Sequence, residues 1–388
     1  MISEPLRQII ADKINSHCDQ RLTFAEYMDL ALYQPQYGYY NSGAVGIGKK
    51  GDFFTSASLG QDFGELLAVQ FQEMWHKLGC PEPFYVVEMG AGNGQLAQDI
   101  LNYLNFRGDR SLIQALKYII IEQSPALITR QQELLAPFSN CIDLSWQTWS
   151  ALADESIQGC FFSNELVDAF PVHLVTKQDD TLQEVYVSLE ADLLLETIDI
   201  LSTTKINQYF ELVNIELGDR SYPSGYRTEV NLKALDWLQT VASKLQRGYV
   251  LTIDYGYTAD KYYRPSRNQG TLQCYFQHRR HHNPYVNLGR QDLTAHVDFT
   301  ALQRQGELCE LQNIGFTQQG LFLMALGLGD RLNELSSGKY DLSEIFKRRD
   351  ALHQLIDPTG LGGFGVLLQG KNLTESQQSL RGLSVPPM

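Results

Sequence analysis

The sequence lacks the features that mark an extracellular scaffold, a membrane protein or a nucleic-acid binder. Its six cysteines (18, 80, 141, 160, 274 and 309) are scattered without a Cys-x-x-Cys pair, which excludes a disulfide framework and reads as reduced thiols. No apolar run approaches the roughly 20 residues that a bilayer-spanning helix needs, so membrane insertion is not expected. Positive charge is scarce. With 31 Lys and Arg against 45 Asp and Glu, the net charge of −14 leaves no general basic surface to displace phosphate counterions. Nucleic acid is therefore not an expected partner, whereas a small molecule or a cationic protein segment is. Internal repeats and low-complexity tracts are also missing.

What is present is an ordinary globular interior. The 388 residues, 43% hydrophobic and 20% charged, suffice for one large elaborated domain or two. Met1 to Gln20 carries Glu4, Asp12 and Asp19 and reads as an amphipathic helix rather than a signal or transit peptide, so the cytoplasm is the expected compartment. Thr23 begins a second helix, with Glu26 at the capping-box position. Residues 35–60 turn to tyrosine, glycine and small polar residues, which suits a binding loop, and a helix over 61–78 follows.

Strands and helices then alternate: strand 84–88, helix 95–104, strand 117–122, helix 125–136, strand 159–163, and later helix 231–246 with strand 248–254. Such alternation implies a parallel sheet with helices on both faces. Strands over 184–189 and 193–200 interrupt it and set 180–230 apart as an insertion. Helices over 299–313, 318–336 and 342–356 and a last strand over 364–369 complete the reading. The expected division is an N-terminal helical region with a covering loop (1–80), a first core half (81–179), the insertion (180–230), a second core half with a cap at 255–298 (231–374), and a disordered tail (375–388).

The densest signal is Phe84-Tyr-Val-Val-Glu88-Met-Gly90-Ala91-Gly92-Asn-Gly94-Gln95. A buried strand turning through glycines into a helix brings backbone N–H groups and a helix N-terminus to one point. The spacing is G-x-G-x-G, not the G-x-G-x-x-G of dinucleotide sites, and the next strand-end acid, Glu122, lies 32 residues after Gly90. Glu88 would repel a pyrophosphate but suits a cation or a pair of hydroxyls. Together they point to S-adenosylmethionine, with the glycines admitting the methionine part and Glu122 accepting the ribose hydroxyls. The competing reading is an ordinary tight strand-to-helix turn.

Gly43 to Lys50 nearly spells a phosphate loop, but Lys50 replaces the needed hydroxyl and no strand precedes it. Gly51-Asp52-Phe-Phe-Thr55-Ser56 better suits a loop closing over a ligand, with Asp52 and Thr55 as cofactor contacts. Asn164, Glu165 and Asp168 follow a strand directly and should sit near the transferable methyl group. Two carboxylates three residues apart on a helical turn could hold a guanidinium; the alternative is an N-cap Asn before a solvated acidic turn. Cys274, His278, His281 and His282 match no paired zinc spacing, and Arg279-Arg280 opposes a cation, so no metal is expected. His296 is a candidate general base, or a structural histidine beside Asp298.

These stretches, with YMDLALYQPQYGYY, GDFFTS, FGE (63–65), VEMGAGNGQLAQDIL, SNELVDAFPVH, LTIDYG, GTLQCYFQHRRHHNP and DLTAHVDF, resemble the MidA-like family of S-adenosylmethionine-dependent protein-arginine methyltransferases. One departure is Ala57, where the family pattern has proline. The resemblance implies an α/β class I (Rossmann-like) methyltransferase sheet with an N-terminal helical part and a family-specific insertion. It implies that Gly90, Gly92, Gly94 and Glu122 bind the cofactor. It further implies a protein substrate bearing a target arginine, on a subunit of a complex I type NADH dehydrogenase during assembly. A different acceptor, or a cofactor-binding assembly chaperone, are the alternatives; a homodimer is among the open oligomeric states.

Overall fold

The structure, a computed structural model, is described for residues 4–42, 56–179, 181–277, 279–338 and 340–384. Its centre is a seven-stranded sheet in the order Gln312–Gln318, Gly365–Lys371, Leu245–Asp254, Ile157–Asn164, Phe84–Met89, Leu116–Ile121, Asp143–Gln147. The five strands from Leu245–Asp254 to Asp143–Gln147 run parallel. Gly365–Lys371 is antiparallel to both its neighbours, so the sheet is mixed rather than purely parallel.

The inner strands are near-continuous apolar runs because both faces are covered. Helices Asp62–Lys77 and Gln95–Arg107 bury Phe63, Leu67, Phe71, Ile100 and Leu104 against one face. Helices Leu232–Lys244 and Phe299–Leu308 bury Trp237, Leu238, Val241 and Phe299 against the other. Three strand ends at Met89, Asn164 and Asp254 therefore finish side by side, where a doubly wound sheet opens its ligand crevice.

The N-terminal helices form as expected. Thr23 accepts from the Glu26 N–H at 3.2 Å, and Glu26 returns a bond to the Thr23 N–H at 2.9 Å. The insertion is not self-contained. Its hairpin, Thr181–Glu190 with Leu193–Asp199, belongs to a five-stranded sheet completed by Arg21–Thr23, His173–Gln178 and Arg227–Val230. A three-stranded sheet, Arg279–His281, Gln273–Phe276 and Asp292–Thr294, fills much of the 255–298 region.

Two edge strands escape the sequence reading. Gln312–Gln318 and Asp143–Gln147 are mostly half-exposed and carry no apolar run, so tertiary pairing decides them. Residues 375–384 are folded where disorder is expected. Leu380 is buried, the Arg381 N–H donates to Glu73 at 2.9 Å, and the Gly382 N–H donates to Gln70 at 3.1 Å. Gly382 lies so close to Phe322 that a Cβ would come within 2.2 Å of its ring. Truncation after Thr374 should therefore destabilise the protein by about 2–4 kcal/mol, from lost burial of Leu380 and exposure of Phe322. Thermal melting reads this; an unchanged midpoint would show that the segment is not anchored.

Candidate active site

At the end of strand Phe84–Met89 the Gly90 N–H donates to Ile121 O at 3.0 Å, and the chain turns away from the sheet. Gly90, Gly92 and Gly94 have φ of 73°, 54° and 85°, a left-handed region where only glycine is unstrained. Space matters as well: a Cβ on Gly90 would lie 2.7 Å from Leu166 Cδ1. Gly94 then caps helix Gln95–Arg107, and the first helical N–H, that of Gln95, donates to Asn93 Oδ1 at 3.0 Å within the turn. Glu122 follows the neighbouring strand. Its Oε1 accepts from the N–H groups of Gln123 (2.8 Å) and Ser124 (3.0 Å), and its Oε2 from Gln131 Nε2 (3.2 Å). Gln131 Nε2 also donates to Gly92 O at 2.8 Å, while its Oε1 accepts from Trp146 Nε1 at 2.9 Å. One buried amide thus ties the glycine turn to the acid. Glu88 is buried beneath them and accepts from the Tyr118 hydroxyl at 2.6 Å; burial pushes its carboxyl up to about 7.

The second half of the site is an acidic turn after Asn164. Glu165 adopts φ 52°, so it does not share a helical face with Asp168 as the spacing suggests. Asp254, with 0% exposure, gathers the turn instead. Its Oδ2 accepts from the N–H groups of Leu166 (3.2 Å), Val167 (2.9 Å) and Asp168 (3.3 Å), and its Oδ1 from Tyr255 N–H (2.9 Å). The Tyr255 hydroxyl donates to Asp168 Oδ2 at 2.6 Å. Asp168 Oδ1 and Asn164 Oδ1 are buried without a hydrogen-bond partner. Glu165 Oε1 accepts from Ser56 N–H at 3.1 Å and Asn164 Nδ2 at 3.2 Å. Burial raises Glu165 to about 8, against those hydrogen bonds and with help from Asp168, and raises Asp168 itself to about 6. Burial and the neighbouring Asp168 and Glu165 push Asp254 well above the usual carboxylate range. The alternative of an N-cap before a solvated acidic turn does not hold, because Asp168 is buried and the turn is 3₁₀.

A cavity of about 310 Å³ joins the two halves, within the range of cofactor sites. Glu88, Gly90, Ala91, Gly92, Glu122, Asn164, Glu165 and Asp168 all line it, as do Tyr40 and Ala57 from the covering loop and Asp292 from the cap. Gly94 does not; it sets the helix. Asp52 and Thr55 lie outside the described residues. His296, expected as a general base, is not brought to the cavity wall. Its ring sits edge-on to Tyr255 and Tyr257, each 5.1 Å away, and burial together with Arg267 and Arg280 lowers it to about 4. Sequence reasoning assigned no role to Gln131, Tyr255 or Asp254; the last two carried a signal as members of the LTIDYG stretch, Asp254 also as a strand-end acid. Among the described residues, no three His, Cys, Asp or Glu side chains gather as metal ligands. The donor set suits a cationic nucleoside: an open glycine turn, an acid beside it, and unpartnered carboxylate and amide oxygens beyond.

The model of a family described as S-adenosyl-L-methionine-dependent methyltransferases matches residues 66–317. The chain belongs to this family. That bears out the resemblance carried by the motifs and makes S-adenosylmethionine the cofactor of this methyltransferase. It is similar to the mitochondrial protein arginine methyltransferase NDUFAF7 homolog of Drosophila melanogaster, 29% identical over 367 residues, covering 87% of this chain and 78% of that one. The human protein arginine methyltransferase NDUFAF7, mitochondrial, is 26% identical over 362 residues, covering 88% of this chain and 78% of that one. A Burkholderia thailandensis crystal structure with S-adenosyl-homocysteine bound superposes with a TM-score of 0.85 at 29% identity, covering 98% of this chain and 95% of that one. The expectation of a cytoplasmic protein is corrected here, because these curated relatives are named mitochondrial.

Gly90→Ala adds strain at φ 73° and a contact with Leu166, so S-adenosylmethionine should bind roughly tenfold or more weakly by isothermal titration. A second expectation concerns pH. Glu165 and Glu88 keep their protons in the folded, ligand-free protein at pH values where the unfolded chain, near 4.5, has lost them. The folded state then binds more protons, so stability falls as pH rises from about 4.5 to about 8 and levels off above. Glu165→Gln should flatten the upper part of that decline in thermal melts across the range; an unaltered profile would contradict it.

Proposed function

We propose that this methyltransferase acts on an arginine side chain of a protein, on a subunit of a complex I type NADH dehydrogenase during assembly. The observation that carries the reading is the acidity of the cavity wall, whose carboxyl groups ionise as a cation enters. Asp29, Glu88, Glu122, Glu165, Asp168 and Asp292 line it, against a single cation, Lys233, among the described residues. Such a wall demands a cationic ligand, and the oxygens left without partners are acceptors that a guanidinium, with five N–H donors, can serve. The names of the curated relatives, protein arginine methyltransferases, support the same acceptor.

Gly90 to Gly92 and Glu122 would hold the cofactor, and S-adenosylmethionine supplies an electrophilic methyl group there. Asp168 Oδ1 and Asn164 Oδ1 accept guanidinium N–H bonds, with Tyr255 fixing the other oxygen of Asp168. Asp254 holds the turn that carries them. Glu165, whose own proton leaves as the cationic cofactor and guanidinium enter beside it, is then the carboxylate that takes the proton the nitrogen gives up as it is methylated. Orientation and exclusion of water supply most of the remaining acceleration.

Glu165→Gln should leave S-adenosylmethionine affinity unchanged and lower methyl transfer to an arginine peptide by about 10²- to 10⁴-fold, read as labelled methyl incorporation. Wild-type transfer in that variant would remove Glu165 from the role. Labelled methyl appearing only in a non-protein fraction would remove arginine as the acceptor.

A further inference from the structure

The cap segment beside this acidic cavity carries charge of the opposite sign. Residues 255–298 hold six Lys and Arg against three Asp, in a chain of net charge −14, and two of those three acids, Asp292 and Asp298, are buried. Arg264, Arg279 and Arg280 are exposed, and none of them forms an ion pair among the described residues. The three-stranded sheet fixes where Arg280 stands. In its register Tyr275 lies directly opposite Asp292 on one side and directly opposite Arg280 on the other. Residues directly opposite across antiparallel strands project to the same face, so Asp292, Tyr275 and Arg280 form one row. Asp292 lines the cavity. Two strand spacings place Arg280 about 10 Å farther out on that face. Arg280 also contributes, after burial and Arg267, to keeping His296 neutral, which puts its charge close to the site.

We propose that Arg280 is a specificity-determining residue that pairs with an acidic side chain of the acceptor protein about three residues from the target arginine. The inference rests on the arginine reading above. An extended segment advances roughly 3.3–3.6 Å per residue, so a carboxylate about three residues away reaches Arg280 while the arginine enters the acidic cavity. The acceptor surface is then bipolar, cation inward and anion at the rim, and each sign meets its complement. A nucleic acid would satisfy the rim but not the acidic wall behind it, so an acidic protein segment is the partner the charges favour.

The test uses the full chain with labelled peptides of one arginine, bearing glutamate, glutamine or lysine three residues to either side. Binding is read by anisotropy and methyl transfer by labelled methyl. Wild type should bind the glutamate peptide about fivefold more tightly than the glutamine one, as for an exposed ion pair, with the gap closing at high salt. Arg280→Glu should invert the order in favour of the lysine peptide, and Arg280→Lys should restore it. Equal or undetectable binding of the three peptides by wild type overturns the proposal, whether or not the arginine is methylated. An order that survives Arg280→Glu in a variant melting at the wild-type temperature also overturns it, as does displacement of the glutamate peptide by single-stranded RNA. Failure of the arginine reading shows separately, as binding that follows the predicted order with no methyl transfer to any peptide.

Discussion

The carboxylate of Asp254 is the constraint on which the acidic turn of the site depends. It ends a central strand, it is fully buried, and among the described residues no cation pairs with it. What stabilises it is a ring of four backbone N–H groups from Leu166, Val167, Asp168 and Tyr255. Backbone donors of this kind compensate a buried acceptor only if the turn presenting them keeps its shape. The turn and the carboxylate thus define one another. Asp168 and its partner Tyr255 inherit their positions from that arrangement, and Glu165 takes its left-handed backbone from the same turn.

The glycine-turn half is built on a different principle. Its geometry comes from glycines that permit a backbone path, and from a polar side chain, Gln131, that fastens the path to Glu122. The two halves meet because parallel strands ending at Met89 and Asn164 are direct neighbours in the sheet. Segments outside the central sheet supply the rest of the wall: Tyr40 from before the sheet and Asp292, at the start of a cap strand, are bonded to one another at 3.0 Å across the cavity rim. The rigid sheet therefore carries the chemistry, while segments distant in sequence close over it.

Much of this was readable from local pattern. Gly90 to Gly94, Glu88 and Glu122 announce themselves because a glycine turn between a strand and a helix is a short-range feature. So do the Thr23–Glu26 capping box and the strands over 184–189 and 193–200. Legibility fails wherever a contact joins distant residues. Gln131 reads as one polar residue on a helix until Trp146 and Gly92 are seen beside it. Tyr255 looks like any aromatic after a strand until its hydroxyl reaches Asp168, 87 residues away in sequence. His296 errs the other way: a histidine near an acid suggested a base, and the fold enclosed it between two tyrosines. The folded segment 375–384 has the composition of a tail, and contacts with residues distant in sequence, Gln70, Glu73, Tyr249 and Phe322 among them, give it a place.

Gln131 sets a direction as well as a tether. Its amide has one end that donates and one that accepts, and the surroundings are not symmetric: Gly92 O and Glu122 on one side, the Trp146 N–H on the other. Rotating the amide by half a turn would set oxygen against oxygen and N–H against N–H. Glutamate, nearly the same shape, would bring a second charge against Glu122. The position thus accepts a single orientation of a single functional group, and the relative placement of the glycine turn and Glu122 follows from it.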